Sequence, residues 1–322
     1  MDGATRLARH PNLNEPRTPI APSGEQIELA YGDQRVVVVE VGAGLRSYIA
    51  DDSAVVDGYE ADEIASSGRG QLLIPWPNRI EDGSYEFEGV RQQLPLDEPE
   101  RQNAIHGLVR WSAWRIAERE PGRAVLEHLL HPRPGYPFSL VLRVEYTLAD
   151  EGLTVRTEAT NLGNETAPYG SGAHPYLAIG GGRVDKAELR VPAGIVLEAN
   201  ERGIPVGAAA VEGTELDFRN AHSVGATKLD HAFTDLERGP DRLARVELTA
   251  DGLQTTLWVD ETYPYLMMFT GDTLPDGGRR SLAVEPMTCA PNAFRSGDGL
   301  ILLEPEQTHT GTWGIMPVAG PV

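Results

Sequence analysis

Hydrophobic positions in this chain recur mostly at every second residue, a period that predicts strands. The clearest run is 140–148 (LVLRVEYTL): Leu142, Val144, Tyr146 and Leu148 fall on one face, Val141, Arg143, Glu145 and Thr147 on the other. After the turn Ala149-Asp150-Glu151-Gly152, residues 153–160 alternate again, so the two runs predict a hairpin. Residues 246–248 and 255–259 repeat the arrangement around Asp251-Gly252, and 35–41 (RVVVVEV) is a β-branched run. No segment of about twelve residues or more, the length of an ordinary helix, sustains a 3.6-residue apolar period.

Many short strands joined by Gly, Pro, Asp and Asn turns, with no internal repeat or compositional break, predict an all-β protein with few or short helices. The expected form is a single-domain antiparallel sandwich over residues 24–322, preceded by a flexible polar arm over 1–23. On such a sheet, side chains from strands far apart in sequence meet on one face. A functional site is therefore expected to be scattered along the chain.

Composition narrows the partners. With 28 basic and 48 acidic residues the net charge is −20, which repels phosphate backbones and anionic lipid. Nucleic-acid binding and polybasic membrane docking are excluded, and a neutral small molecule fits better, although solubility alone also accounts for the charge. An acidic surface permits a monomer or a homodimer. The single cysteine, Cys289, can form neither an internal disulfide nor a multi-cysteine zinc site. No stretch approaches the ~20 apolar residues of a membrane span, and the first residues lack the apolar core of a secretory signal, so a cytoplasmic location is expected.

The phosphate-loop, dinucleotide, nucleophile-elbow and H-E-x-x-H motifs are absent. His128 and His131, three apart in a strand-like run, point to opposite faces and do not share a metal. Five segments remain whose residue types are unusual for plain structure.

In 75–80 (PWPNRI), prolines fix the backbone around Arg79, which either offers paired donors to hydroxyls or sits in a salt bridge. In 103–108 (NAIHGL), His106 beside Gly107 is either packed or held where a ligand approaches. In 170–176 (GSGAHPY), Pro175 extends the chain at His174 and small residues leave room beside its imidazole, as a general acid needs; a turn histidine is the other reading. In 281–286 (SLAVEP), Ser281, Ala283 and Glu285 share a strand face. Burial there would raise the carboxyl pKa towards that of a general base. Glu304 and Glu306 instead lie in a solvated proline turn. In 228–233 (KLDHAF), Asp230 either accepts from sugar hydroxyls or caps a turn.

In order, PWPNRIEDGSYEFEG, NAIHGL, AHPYL, LDHAF, FTGDTLP and AVEPMTCAPNAF resemble the aldose 1-epimerase (galactose mutarotase) family, and the likeness runs from about residue 26 to 314. The resemblance implies a β-supersandwich and a sugar substrate, with no cofactor and no metal. It implies that His174 is the general acid at the ring oxygen, Glu285 the general base at the anomeric hydroxyl, and His106 a second histidine near the ring oxygen. By the same resemblance Arg79, Asn78 and Asp230 hold the substrate. Tyr176, like Trp76, either stacks on the sugar or belongs to the core. The frames His174-Pro175-Tyr176 and Val284-Glu285-Pro286 look more like broader branches of the family, some acting on phosphorylated or sulfonated sugars, than like its galactose-specific members. Two other activities suit the same fold: a glycoside-processing enzyme with two carboxylates, and a non-catalytic sugar-binding protein.

Overall fold

The computed structural model describes residues 20–319 other than 181, 251 and 275–277. Most of the expected arm (1–19), Asp251 of the second hairpin and Pro275 of FTGDTLP lie outside the described residues. Ser23, at the expected end of the arm, is already buried, and its carbonyl accepts from the Val41 N–H at 3.0 Å.

The alternating runs form strands with the expected faces. In Leu140–Ala149 every second residue from Leu140 to Leu148 is buried and those between are half-buried. This strand pairs with Gly152–Asn161 in the register Leu148↔Leu153. Ala244–Ala250 and Leu253–Val259 form the second hairpin, and the β-branched run becomes the strand Gln34–Val39. Among the described residues about half are strand and only about 2% helix, so side chains mostly alternate between two faces.

Two antiparallel sheets organise the molecule. The nine-stranded one runs Arg115–Glu120, Arg123–Leu130, Leu140–Ala149, Gly152–Asn161, Thr308–Ala319, Leu253–Val259, Ala244–Ala250, Glu188–Arg190 and His222–Ser223. The twelve-stranded one has at its centre, in spatial order, Ser53–Val56, Tyr176–Ala178, Ser281–Met287, Tyr265–Phe269, Asp230–Leu236 and Ala193–Ala199. Buried faces of both contribute to one contiguous apolar cluster, including Val36, Tyr48, Leu177, Leu282 and Val284 from one sheet and Leu142, Tyr146, Val155, Leu257 and Trp313 from the other. Large side chains such as these contribute about 1.5–3 kcal/mol each when fully buried. The Tyr146 hydroxyl is satisfied by donating to the Ala43 carbonyl at 2.6 Å.

Ser281–Met287 is buried at all seven positions, so it is covered on both faces. Leu282 and Val284 enter the main core, whereas Ala232, Met267 and Met287 form a small separate cluster on the opposite face. Glu285 lies on that opposite face, across from Met267.

Candidate active site

Sheet register brings the titratable residues together. Gly172 pairs with Met287 and Tyr176 with Ala283, which places His174 directly across from Glu285. The Val284 N–H donates to the Pro175 carbonyl at 3.1 Å, making the flanking 175–284 pair the hydrogen-bonded one. His174 and Glu285 therefore form a non-hydrogen-bonded cross-strand pair, the arrangement in which side chains approach more closely. Their tips meet, with His174 Nε2 3.3 Å from Glu285 Oε1.

The same face continues across the sheet. Glu285 lies opposite Met267, Ala283 opposite Phe269, and Phe269 opposite Asp230. Asp230 thus occupies the same row as Tyr176, two strands beyond Ala283 or roughly 10 Å at ordinary strand spacing. His174, Tyr176, Glu285, Met267, Phe269 and Asp230 all line one pocket of about 440 Å³.

A short two-stranded ribbon, Arg79–Glu81 with Asn103–Ile105, builds the facing wall. Its ends carry Asn78 and His106, both left-handed (φ 54° and 61°). Asparagine tolerates this region, whereas histidine is held in it at the cost of about 1 kcal/mol or more of strain. Reciprocal bonds lock the two together: the His106 N–H donates to the Asn78 carbonyl at 2.8 Å, and the Asn78 N–H donates to His106 Nδ1 at 3.2 Å. Because Nδ1 accepts, the ring proton is on Nε2. The His106 and His174 rings meet edge to face with centroids 5.4 Å apart. Arg79 answers both of its sequence readings, since it lines the pocket and also forks onto Glu98 (Nε to Oε2 2.8 Å, Nη2 to Oε1 2.9 Å).

Burial governs the electrostatics. His106, His174 and Glu285 are all at least nine-tenths buried. Burial raises the Glu285 carboxyl well above the usual carboxylate range, the charge of Asp230 adds to this, and Arg79 opposes it. Burial likewise pushes His174 below the ordinary imidazole value, helped by the Arg110, Arg69 and Arg79 charges, and holds His106 well below it, helped by His174 and the Arg110 and Arg79 charges. Both members of the touching pair are driven towards their neutral forms, so together they hold one titratable proton.

All seven residues singled out from sequence, His174, Glu285, His106, Arg79, Asn78, Asp230 and Tyr176, line this pocket. Asp230 is half exposed at the rim, 3.9 Å from the Arg101 guanidinium. The Tyr176 ring is buried and stacks on the His174 ring (4.9 Å, 15°). Trp76 lies in the core, edge-on to Phe294 at 5.7 Å, and is not in the lining. His128 bonds to the Ala113 carbonyl at 3.2 Å, and Glu304 and Glu306 are exposed, as the sequence suggested.

Sequence reasoning overlooked Glu98, Asp97 and Gly68. The two acids lie in the stretch DEPER, which the sequence analysis did not single out, yet Glu98 anchors Arg79. Asp97 accepts from the Ile105 N–H (2.7 Å) and from Arg110 Nη2 (2.8 Å). Only the neighbouring ribbon with its arginine hints at their role.

His106, His174 and Glu285 place three donor atoms within 4.8 Å of one another, a spacing that suits a metal. The His106 tautomer works against one: its single lone pair is taken by the Asn78 N–H, and Nε2 carries a proton.

Sequence comparison agrees with this geometry. The pattern described as aldose 1-epimerase matches residues 25–315. The chain belongs to the aldose 1-epimerase family. Uncharacterized protein YihR of Escherichia coli (strain K12) is 38% identical over 295 residues, 89% of this chain and 91% of that protein. Among solved structures, a GalM/aldose epimerase homologue from C. elegans superposes with a TM-score of 0.82 at 17% identity, covering 92% of this chain and 99% of that one. Galactose 1-epimerase from Lactobacillus acidophilus NCFM gives 0.78 at 21% identity, covering 92% and 95%. The family assignment supports a sugar-epimerase role and an isomerase type of enzyme, and the all-β antiparallel architecture is the family's fold. Among the described residues no helix is long and apolar enough to cross a membrane.

Proposed function

We propose that this family member is a mutarotase that interconverts the α and β anomers of an aldohexose or a derivative of one, using its own side chains alone. The observation that carries the proposal is the buried contact between His174 Nε2 and Glu285 Oε1, at 3.3 Å on the pocket floor.

The chemistry follows from two oxygens on one carbon. In a cyclic aldose the anomeric hydroxyl and the ring oxygen both sit on C1, so an acid and a base acting on them must be neighbours. Glu285 takes the hydroxyl proton as the C1–ring-oxygen bond breaks. His174 gives its proton to the departing ring oxygen, and the product is the open aldehyde. The pair holds one proton before and after, having passed it from histidine to glutamate through the sugar. Rotation about C1–C2 presents the other carbonyl face, and closure runs the transfers backwards. Such general acid–base catalysis contributes typically 10²–10⁴-fold. His106, with its Nε2–H fixed as a donor, supports the ring oxygen. Arg79, Asn78 and Asp230 hold hydroxyls, and Tyr176 supports the acid from behind.

The rival readings fit less well. A glycosidase pairs two carboxylates about 5–9.5 Å apart. Here the group touching Glu285 is an imidazole, while Asp97 and Glu98 are engaged by Arg110 and Arg79. A binding protein has no use for a buried acid and base whose protonation is this strained.

The test is polarimetry or proton NMR on freshly dissolved α-anomers of glucose, galactose and phosphorylated or sulfonated hexoses. Faster equilibration of at least one is expected. Failure on all of them would overturn the proposal.

A further inference from the structure

One segment beside the pocket has no part in that chemistry, yet it is built around His174. Ser67, Gly68 and Gly70 all carry positive φ (54°, 76° and 67°). A Cβ on Gly68 would stand 2.5 Å from His174 Cδ2, and one on Gly70 would stand 1.9 Å from the Leu45 carbonyl oxygen. Only glycine fits at either place. The segment is tied to the strand run it supports: the Gly70 N–H donates to the His174 carbonyl at 2.9 Å, the His174 N–H to the Gln71 carbonyl at 3.0 Å, and the Tyr176 hydroxyl to the Ser67 carbonyl at 2.9 Å.

Side chains add a second link. The His174 ring stacks on Tyr176, and the Arg69 guanidinium carbon lies 4.7 Å from the Tyr176 ring centroid. Arg69 is 2% exposed, so its charge is little screened. Its Nη2 donates to Asp57 Oδ2 at 3.2 Å, an oxygen that also accepts from Arg280 Nε at 2.9 Å and Ser281 Oγ at 2.7 Å.

We propose that Gly68 and Arg69 are positioning residues for the general acid: Gly68 fixes the face His174 presents to the sugar, and Arg69, acting past the Tyr176 ring, sets how tightly the imidazole holds its proton. This rests on the acid role proposed above for His174. The oxygen in a sugar ring is a weak base, so a donor that holds its proton loosely transfers it more readily. A buried cation beside the imidazole loosens that proton. Arg110 and Arg79 act in the same sense, Glu285 in the opposite one, and His106 and Tyr176 face the ring as neutral groups.

The two stacking distances bound the separation between the Arg69 guanidinium and the imidazole at about 10 Å. At that range, partly offset by Asp57, one charge moves the proton equilibrium by about half a pH unit, roughly threefold. Imidazole ¹⁵N shifts of His174 at pH 7 read its share of the proton without needing turnover, so an inactive wild type would sink the mutarotase reading and leave this one testable. Arg69→Met should raise the protonated share about threefold, Arg69→Lys should restore most of the wild-type value, and Asp57→Asn should move it the other way. In an active enzyme the acid limb of kcat/KM follows in the same directions. Shifts in Arg69→Met and Asp57→Asn that coincide with wild type overturn the Arg69 role, and Asp57→Asn decides alone if the methionine variant does not fold. Gly68→Ala should lower kcat at least tenfold while KM stays within about threefold. An unchanged kcat overturns the Gly68 role.

Discussion

Replacing Glu98 by glutamine probes the least expected support of the site. The carboxylate accepts three hydrogen bonds, two from the Arg79 fork and one from Asn103 Nδ2 at 2.9 Å. The two side chains are 17% and 10% exposed, so water replaces little of what is lost. Glutamine keeps the shape but removes the charge and turns one acceptor into an NH₂ facing the fork. Gly203 closes one side of the guanidinium, since a Cβ there would stand 2.7 Å from Arg79 Nη1. Breaking a fully buried pair from one side costs about 3–5 kcal/mol. The residual exposure here reduces that to about 2–3 kcal/mol, which for a chain of this size lowers Tm by about 4–10 °C. Turnover should fall as well, roughly tenfold, since Asn78 precedes Arg79 and holds His106 through its backbone. Calorimetry and the anomerisation assay measure the two effects separately. The double variant Arg79→Met with Glu98→Leu should recover at least half of the lost stability, because no charge is left unpaired, but none of the activity. A Glu98→Gln protein melting within about 1 °C of wild type would refute the reasoning.

Two further predictions concern the proton carriers. Glu285→Gln mimics the neutral carboxyl in shape, so kcat should fall at least 10²-fold while sugar binding stays within about tenfold, as read by anomerisation kinetics and isothermal titration; a variant that keeps its turnover would move the base elsewhere. The acid limb of kcat/KM should lie below pH 6.5, because burial and the neighbouring arginines disfavour a second proton on the pair, and activity should persist far above the usual carboxylate range, where Glu285 still retains the shared one. Loss of activity already under way between pH 8 and 7 as the medium is acidified would contradict this.

The fold was legible because strand period 2 leaves its mark residue by residue. The run 140–148 shows which side chains are buried before any partner is known, and its hairpin turn is local. The candidate catalytic residues were legible only as oddities: a carboxylate among small apolar neighbours at Glu285, a histidine before proline at His174. What joins them, the register that puts residue 174 opposite 285 and Asp230 in the next row, depends on pairings between separate strands, such as 230 with 269, and no local pattern encodes it. Glu98 was hidden for a different reason. An acid among acids in a proline turn looks solvated until the ribbon places a guanidinium against it. The sequence left Trp76 open between a platform for the sugar and a core position, and it packs beside Phe294.

Burial of the acid and base, which for a structural protein would be a defect, is what lets the proposed chemistry run near neutral pH. With ordinary values of about 4.3 and 6.5, a solvated glutamate and histidine at pH 7.5 would together hold well under one proton, and the ring oxygen would most often find no donor. Placing both in an apolar floor makes a lone carboxylate costly, so the pair keeps a proton it would otherwise lose. The 3.3 Å contact then lets either group carry it. A cyclic sugar selects the form with the proton on His174, and the open aldehyde leaves it on Glu285. The reaction needs no exchange with solvent between the two half-steps. On this argument the surroundings of the pair matter as much as its members: a substitution that let water reach the floor near Met267 or Met287 would lower turnover without touching a proton carrier, by allowing the proton to escape.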